Sequence, residues 1–228
     1  MREPGTPSRL SLKEEKKRNR PYAGNDRTGA PILLDDYPTF TLRRPLNIGE
    51  SSMSQPKRVL TVYYAESPVS RLAPLWAAVT ARGIWAASYG IDEEEFRAQI
   101  LDRARVIPIY DANKAATALK QMEEFLAGKR KGFDLKVDWS EMTPFQIAVR
   151  KAVIAVPYGK TASYGEIAVA VGKPQAPRAV GGVQATNPIS FVIPCHRIIG
   201  SDGSLHGYGG FGGLKTKAWL LELEAKNK

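Results

Sequence analysis

SYGEIAVAVGKPQAPRAVGGVQA, residues 163–185, carries two short helical patterns separated by a tight turn. In Ser163-Tyr164-Gly165-Glu166 a hydroxyl stands three residues ahead of a carboxylate. This is the spacing of a capping box, in which each side chain satisfies a backbone amide that the first helical turn leaves free. A helix is predicted from there to Val171, with Gly172 as its stop. Lys173-Pro174-Gln175 interrupts the pattern, and a second helix is predicted from Ala176 to Ala185. Two short helices joined by a Gly/Pro turn make a helix-turn-helix candidate. The second contains Gly181 and Gly182, although glycine inside a helix costs up to about 1 kcal/mol relative to alanine. Two reasons compete for that pair. With only small residues at Ala179, Gly181, Gly182 and Ala185, the helix backbone can press into a nucleic-acid groove while Arg178 projects as the one long cation. Alternatively, the helix packs tightly inside the protein.

Upstream, Thr143-Pro144 suits a helix start, with Thr as cap and Pro in the first turn; Phe145, Ala148, Val149, Ala152 and Val153 form the apolar face, and Pro157-Tyr158-Gly159 ends it. Farther back, Val59–Tyr64 and Gly83–Tyr89 are β-branched and aromatic enough for strands. Helices are predicted over 92–104 and 113–127; the second presents Ala116, Leu119, Met122, Phe125 and Leu126 and closes at Gly128. This part reads as scaffold, without a cluster of reactive side chains. Residues 1–56, rich in Pro, Gly, Ser and charge and including the run Lys13–Arg20, read as a disordered basic tail, with Met53 as an alternative start. Three parts are expected: the tail over 1–56, an α+β domain over 57–138, and a mainly helical domain over 139–228.

The 228 residues include one cysteine and two histidines, and the net charge is +10. One cysteine cannot form an internal disulfide, and these three side chains cannot supply the four N/S ligands of a structural zinc site. Neither a metal nor another cofactor is expected. An unpaired thiol suits a reducing compartment, the cytoplasm or nucleoid. There is no apolar run long enough to span a bilayer and no signal segment, so no membrane partner is expected. The positive charge favours an anionic partner.

Downstream stands Pro194-Cys195-His196-Arg197. Phe191-Val192-Ile193 before it is predicted to be a buried strand, which would put the thiol at the end of a rigid element. Thiolate is the nucleophilic form, and His196 is the candidate to take the proton. A working histidine is commonly oriented by a carboxylate. The last helix, predicted over 214–224 and anchored by Trp219, Leu220 and Leu223, offers Glu222 and Glu224. Whichever faces inward completes a Cys-His-Glu relay.

With these residues in place, the chain resembles the O6-alkylguanine-DNA alkyltransferases. The likeness covers about residues 143–224 and rests on PYGKTASYGEIA at 157–168, PRAVG at 177–181, NPI at 187–189, IPCHRIIG at 193–200 and KAWLLELE at 217–224. A looser likeness over 58–138 implies a small ribonuclease-H-like domain, giving an α+β protein in all. The resemblance implies that Cys195 is the alkyl acceptor, that His196 is its base through a water, and that Glu224 orients His196. It makes Tyr164 a hydrogen-bond donor to the guanine and Asn187 the tie between the helix-turn-helix and the active site. Arg178 would replace the flipped nucleotide in the stack, with Ala179, Gly181, Gly182, Ala185, Thr161 and Ser163 also against DNA. Pro194, Tyr208 and Gly209 would line the base pocket, and the backbone carbonyls of Cys195 and Ile198 would read the exocyclic amine. The implied partner is double-stranded DNA containing O6-alkylguanine, approached from the minor groove by a monomer that needs no cofactor; O4-alkylthymine is a further candidate substrate. The segment Gly207–Gly213 is about two residues longer than in the best-known relatives, and its glycines imply a mobile pocket rim. Other readings fit less well. A non-catalytic relative that only binds alkylated DNA lacks the acceptor cysteine, a Cys-His hydrolase needs an oxyanion hole, and a regulator reading the major groove needs longer side chains on the second helix.

Overall fold

The structure, a computed structural model, describes residues 60–228 apart from Val69 and Ala73; the tail expected over 1–56 lies outside these. β1 (Tyr63–Ser67), β2 (Leu75–Thr80) and β3 (Gly83–Tyr89) form an antiparallel meander, and β4 (Ile109–Tyr110) pairs parallel to β1, giving the order β3-β2-β1-β4. Side chains alternate across a strand. Ala65, Leu75, Ala77, Ala87 and Tyr89 therefore enter one apolar cluster, while Tyr64, Trp76, Ala78 and Ala86 enter another. Of the strand expected over 59–64, only Tyr63 and Tyr64 lie in β1, which runs on to Ser67; Val59 is outside the described residues. β2, which the sequence reading did not place, is the central strand of the meander.

Helices cover both faces of this sheet. α1 (Glu93–Ala104) brings Phe96 and Ile100 to the second cluster, and α2 (Ala112–Leu126) brings Ala115, Ala118, Leu119, Met122 and Phe125 to the first. Asp92 and Asp111 start them by accepting from the backbone amides of Glu95 and Lys114, so that an amide without an intrahelical partner is satisfied at each end. Of the face expected for α2, Leu119, Met122, Phe125 and Leu126 are buried, whereas Ala116 is exposed and Ala115 is buried in its place.

The first cluster continues past residue 139 into α3 (Pro144–Ile154) through Val149 and Val153, α4 (Tyr164–Ala170) through Ile167 and Ala168, α5 (Pro177–Ala185) through Val180 and Val183, and α6 (Gly213–Lys226) through Leu220. The chain is thus mixed α+β, as expected. α3 begins with a full capping box, Thr143 with Gln146 at 3.0 and 3.3 Å. Ala148, expected on its apolar face, is exposed. Arg150 is buried instead, because its guanidinium reaches the Thr186 carbonyl at 2.9 Å, just past the end of α5.

Asp138 ties the β2–β3 turn to the segment entering α3. It is buried and accepts from Thr80 Oγ1 (2.6 Å), Arg82 Nε (3.0 Å) and Ser140 N (3.0 Å). Burial alone would raise its pKa, but the hydrogen bonds from Thr80, Arg82 and Ser140 outweigh this and hold it at about 2. A carboxylate with a depressed folded-state pKa stabilises the fold above its unfolded value, about pH 4, and loses that contribution as pH falls through the folded value. Asp138→Asn is therefore expected to melt below the native protein at neutral pH and to converge with it in acid. Thermal melts of the pair from about pH 2 to 7 test this; a gap that does not change with pH contradicts it.

Candidate active site

The strand expected over 191–193 does not form. After the isolated bridge of Ile189 to Ala87, Phe191 adopts φ 69°, and Ile193 N donates back to Ile189 O at 3.0 Å. A left-handed residue ends an extended run. Phe191 is held there by stacking on Tyr89, with ring centroids 4.9 Å apart. Pro194 then leads into a 3₁₀ turn, Cys195–Arg197, closed by Ile198 N donating to Cys195 O. The thiol thus sits at the head of a short turn whose preceding residues, Phe191, Val192 and Ile193, are all buried. β6 (Ile198–Ile199) pairs parallel with β5 (Ala162–Ser163), which sets this turn beside the start of α4.

Cys195 is half-buried. Asn187 Nδ2 donates to Cys195 Sγ at 3.2 Å and to Ile193 O at 2.8 Å, while Asn187 Oδ1 accepts from Ile189 N at 3.1 Å. The next residue, His196, is fully buried, and its Nε2 lies 2.7 Å from Glu224 Oε1. The glutamate that faces inward is Glu224; Glu222 is exposed. Glu224 also receives Arg197 at 3.0–3.1 Å and the Gly159 amide at 2.7 Å. One carboxylate therefore joins the 3₁₀ turn, the 157–160 turn and α6.

Protonation states follow from burial and these partners. Burial pushes the Cys195 thiol pKa up, and the Asn187 hydrogen bond, the Lys217 ammonium and nearby backbone amides offset only part of the rise. Burial likewise pushes His196 down, more than Glu224 pulls it up. For Glu224 burial acts upward, yet the bonds from His196, Arg197 and Gly159 leave its pKa below the ordinary value. At neutral pH the site holds a thiol, a neutral imidazole with a buried Nδ1 that has no partner among the described residues, and an ionised carboxylate. Such a set can move the thiol proton to the ring when an electrophile arrives.

The two predicted helices are present as α4 and α5. Ser163 Oγ accepts from Glu166 N at 3.1 Å and Glu166 Oε2 accepts from Ser163 N at 2.6 Å, completing the capping box. Arg178, Ala179, Gly182, Ala185 and Thr161 are exposed. A Cβ on Gly182 would meet nothing within 4 Å, and one on Gly181 would touch the Tyr164 ring at an ordinary 3.8 Å. Packing within the protein thus requires neither glycine. They leave the outer surface of α5 low, with Arg178 standing above it.

Two spaces adjoin the thiol and this helix. An open cleft of about 590 Å³ lies between Tyr164, Arg178, Gly181, Ala185, Tyr208 and Gly209. A narrower cavity of about 250 Å³ is lined by Cys195 and Asn187 and shares Gln184, Ala185, Tyr208 and Gly209 with the cleft. Of the other residues singled out in the sequence, Thr161, Ser163, Ala179, Gly182, Pro194 and Ile198 line neither space. A larger depression, about 800 Å³ beside Tyr63, Arg82 and Lys114, contains none of them. Tyr208 accepts from the Tyr89 hydroxyl at 3.1 Å. Burial pushes the Tyr208 pKa well above its usual value, and Tyr164 is raised for the same reason, so both remain phenols. The glycines of the rim serve close approach: a Cβ on Gly209 would lie 2.9 Å from the Ala185 carbonyl, and one on Gly210 would lie 2.2 Å from the Tyr89 hydroxyl.

Sequence reasoning missed the buried cations. Lys217 is fully buried and donates to Ile198 O at 2.6 Å and His206 O at 3.0 Å. Arg197 also reaches Val156 O at 2.7 Å. The carbonyls of Cys195 and Ile198, expected to face a ligand amine, therefore each hold one internal hydrogen bond and keep a second lone pair.

The 6-O-methylguanine DNA methyltransferase, DNA-binding domain, family matches residues 144–226. A methylated-DNA–protein-cysteine methyltransferase of Methanosarcina barkeri is 52% identical over 110 residues, 48% of this chain and 68% of the relative. The Mycobacterium leprae protein of that name is 44% identical over 126 residues, 55% of this chain and 74% of the relative. Among solved structures, the Mycobacterium tuberculosis OGT in complex with DNA matches with a TM-score of 0.60 and 35% identity, over 73% of this chain and 94% of that one.

Proposed function

The chain belongs to the methylated-DNA–protein-cysteine methyltransferase family, and from that premise we propose that it repairs DNA by direct reversal, taking the alkyl group from O6 of guanine onto Cys195. The observation that carries this reading is the thiol held by Asn187 at a cavity wall, with the next residue, His196, bonded to the buried Glu224. The thiol proton passes to His196 Nδ1 through a water as sulfur attacks the alkyl carbon. The S–C bond forms as the C–O6 bond breaks, the electron pair leaves with guanine, and Tyr164 donates the proton that neutralises it. The thiol proton returns through the site to Tyr164, leaving S-alkylcysteine and guanine. A thioether is not reversed by any group in the site, so each molecule acts once.

The target carbon is hidden in the duplex, so the nucleotide must be flipped out, at a cost of a few kcal/mol. Arg178 fills the space left in the stack, while the low surface around Gly181, Gly182 and Ala185 lets α5 approach the minor groove. Thr161, Ser163 and Ala179 add backbone contacts, and Pro194, Ile198, Tyr208 and Gly209 shape the base pocket. Residues 57–138 act as support and 139–228 as the DNA-binding and alkyl-acceptor part. The protein works as a cytoplasmic monomer, nucleoid-associated in a prokaryote.

Incubation with a duplex carrying O6-methylguanine is expected to add one methyl to the peptide containing Cys195, read by mass spectrometry. Complete repair with Cys195 unmodified would sink the proposal. Arg178→Ala is expected to slow transfer from duplex DNA about tenfold to a hundredfold, because flipping loses its support, while leaving transfer from free benzylguanine nearly unchanged. Equal losses on both substrates would contradict the flipping role.

A further inference from the structure

Gln184 is 7% exposed, and among the described residues neither its amide oxygen nor its amide nitrogen has a hydrogen-bond partner. It lines both the cleft and the cavity beside Cys195. Buried amides left unmade are costly, and one at a cavity wall points to a ligand. Asn187, on the same wall, differs: its nitrogen and its oxygen are both engaged.

Resting on the function proposed above, we infer that the cavity of about 250 Å³ receives the far end of the alkyl group, and that Gln184 selects adducts ending in a hydroxyl. The displaced carbon must lie between sulfur and O6, so further atoms of the adduct have to turn aside, and Cys195 opens onto this cavity. At about 30 Å³ per water-sized group, it has room for a short chain. Its walls are polar: Ser88 and Ser190 stand with Gln184, and Glu95 and Gln99 lie at its exposed edge. A hydroxyl can donate to the Gln184 oxygen and accept from its nitrogen, whereas a methyl end leaves both unmade. An anionic end would meet the Glu95 carboxylate.

The test offers duplexes carrying O6-(2-hydroxyethyl)guanine and O6-propylguanine, which differ by hydroxyl for methyl at the chain end, with O6-methylguanine as reference. Products on Cys195 are counted by mass spectrometry. Gln184→Met is expected to lower the hydroxyethyl-to-propyl ratio about tenfold relative to the native protein, the worth of one hydrogen bond. An unchanged ratio overturns the assignment. Gln184→Glu has the same shape and guards against a Met variant that does not fold. It is expected to lower the ratio of O6-carboxymethyl to hydroxyethyl transfer about tenfold through like-charge contact, and no change there is equally fatal. Methyl transfer by the native protein in the same mixture separates the two failures. If it is absent, the proposed function falls; if it is present, only the role of Gln184 falls.

Discussion

Alanine at Cys195 abolishes alkyl transfer in our expectation, with affinity for duplex DNA staying within about twofold of native. No second cysteine exists to take the group, and a methyl side chain is no nucleophile. Binding survives because the substitution changes little outside the sulfur. Asn187 loses one acceptor but keeps Ile193 O at 2.8 Å and the Ile189 amide at 3.1 Å, so it stays in place. The outward residues of α5 do not depend on the thiol. Mass spectrometry of the acceptor peptide and a gel-shift titration give the two readings. Residual transfer, or loss of binding along with transfer, would show that the thiol has been assigned the wrong role.

The second large effect is expected at Glu224. Removing one partner of a buried ion pair typically costs about 3–5 kcal/mol. Glu224→Ala strands Arg197, His196 Nε2 and the Gly159 amide at once. A drop in melting temperature is expected, read by calorimetry. Glu224→Gln keeps the shape and isolates the chemistry: transfer should slow about a hundredfold or more, within the range of lost general-base assistance. The pH profile gives an independent sign. Glu224 raises the His196 pKa against the lowering by burial, so removing its charge drops that pKa further. The acid limb of the rate profile, where His196 takes up a proton, should then move to lower pH. Movement to higher pH would contradict the pairing.

Features written in neighbouring residues were legible in the sequence. The helix cap at Thr143, the capping box at Ser163, the stop at Gly172 and the strand over 83–89 depend on side chains and backbone within a few positions. β2 escaped because Leu75-Trp76-Ala77-Ala78 is buried on both faces and shows neither alternation nor a β-branched run. The 191–193 segment looked like a strand because a buried turn and a buried strand draw on the same apolar residues; only the backbone reversal at Phe191 tells them apart. The residues alone left Glu222 and Glu224 open. A signal was present: Glu224 follows the buried Leu220 by four and the buried Lys217 by seven, one helical face, and Glu222 does not share it. The carbonyls of Thr186, Val156 and Ile198 that hold Arg150, Arg197 and Lys217 could not be read, since they are backbone groups 36, 41 and 19 residues away.

The junction made by Glu224 also has a consequence for the order in which the protein is made. His196 precedes its carboxylate by 28 residues, so on the ribosome the sulfur emerges well before the group that orients its base. On the roles proposed above, a nascent chain that has reached only β6 carries the nucleophile without assistance, and a message interrupted ahead of the last turn of α6 yields a product with an intact cysteine and an unoriented imidazole. For a molecule that spends itself in one reaction, competence arriving late in synthesis keeps unfinished copies from being used up.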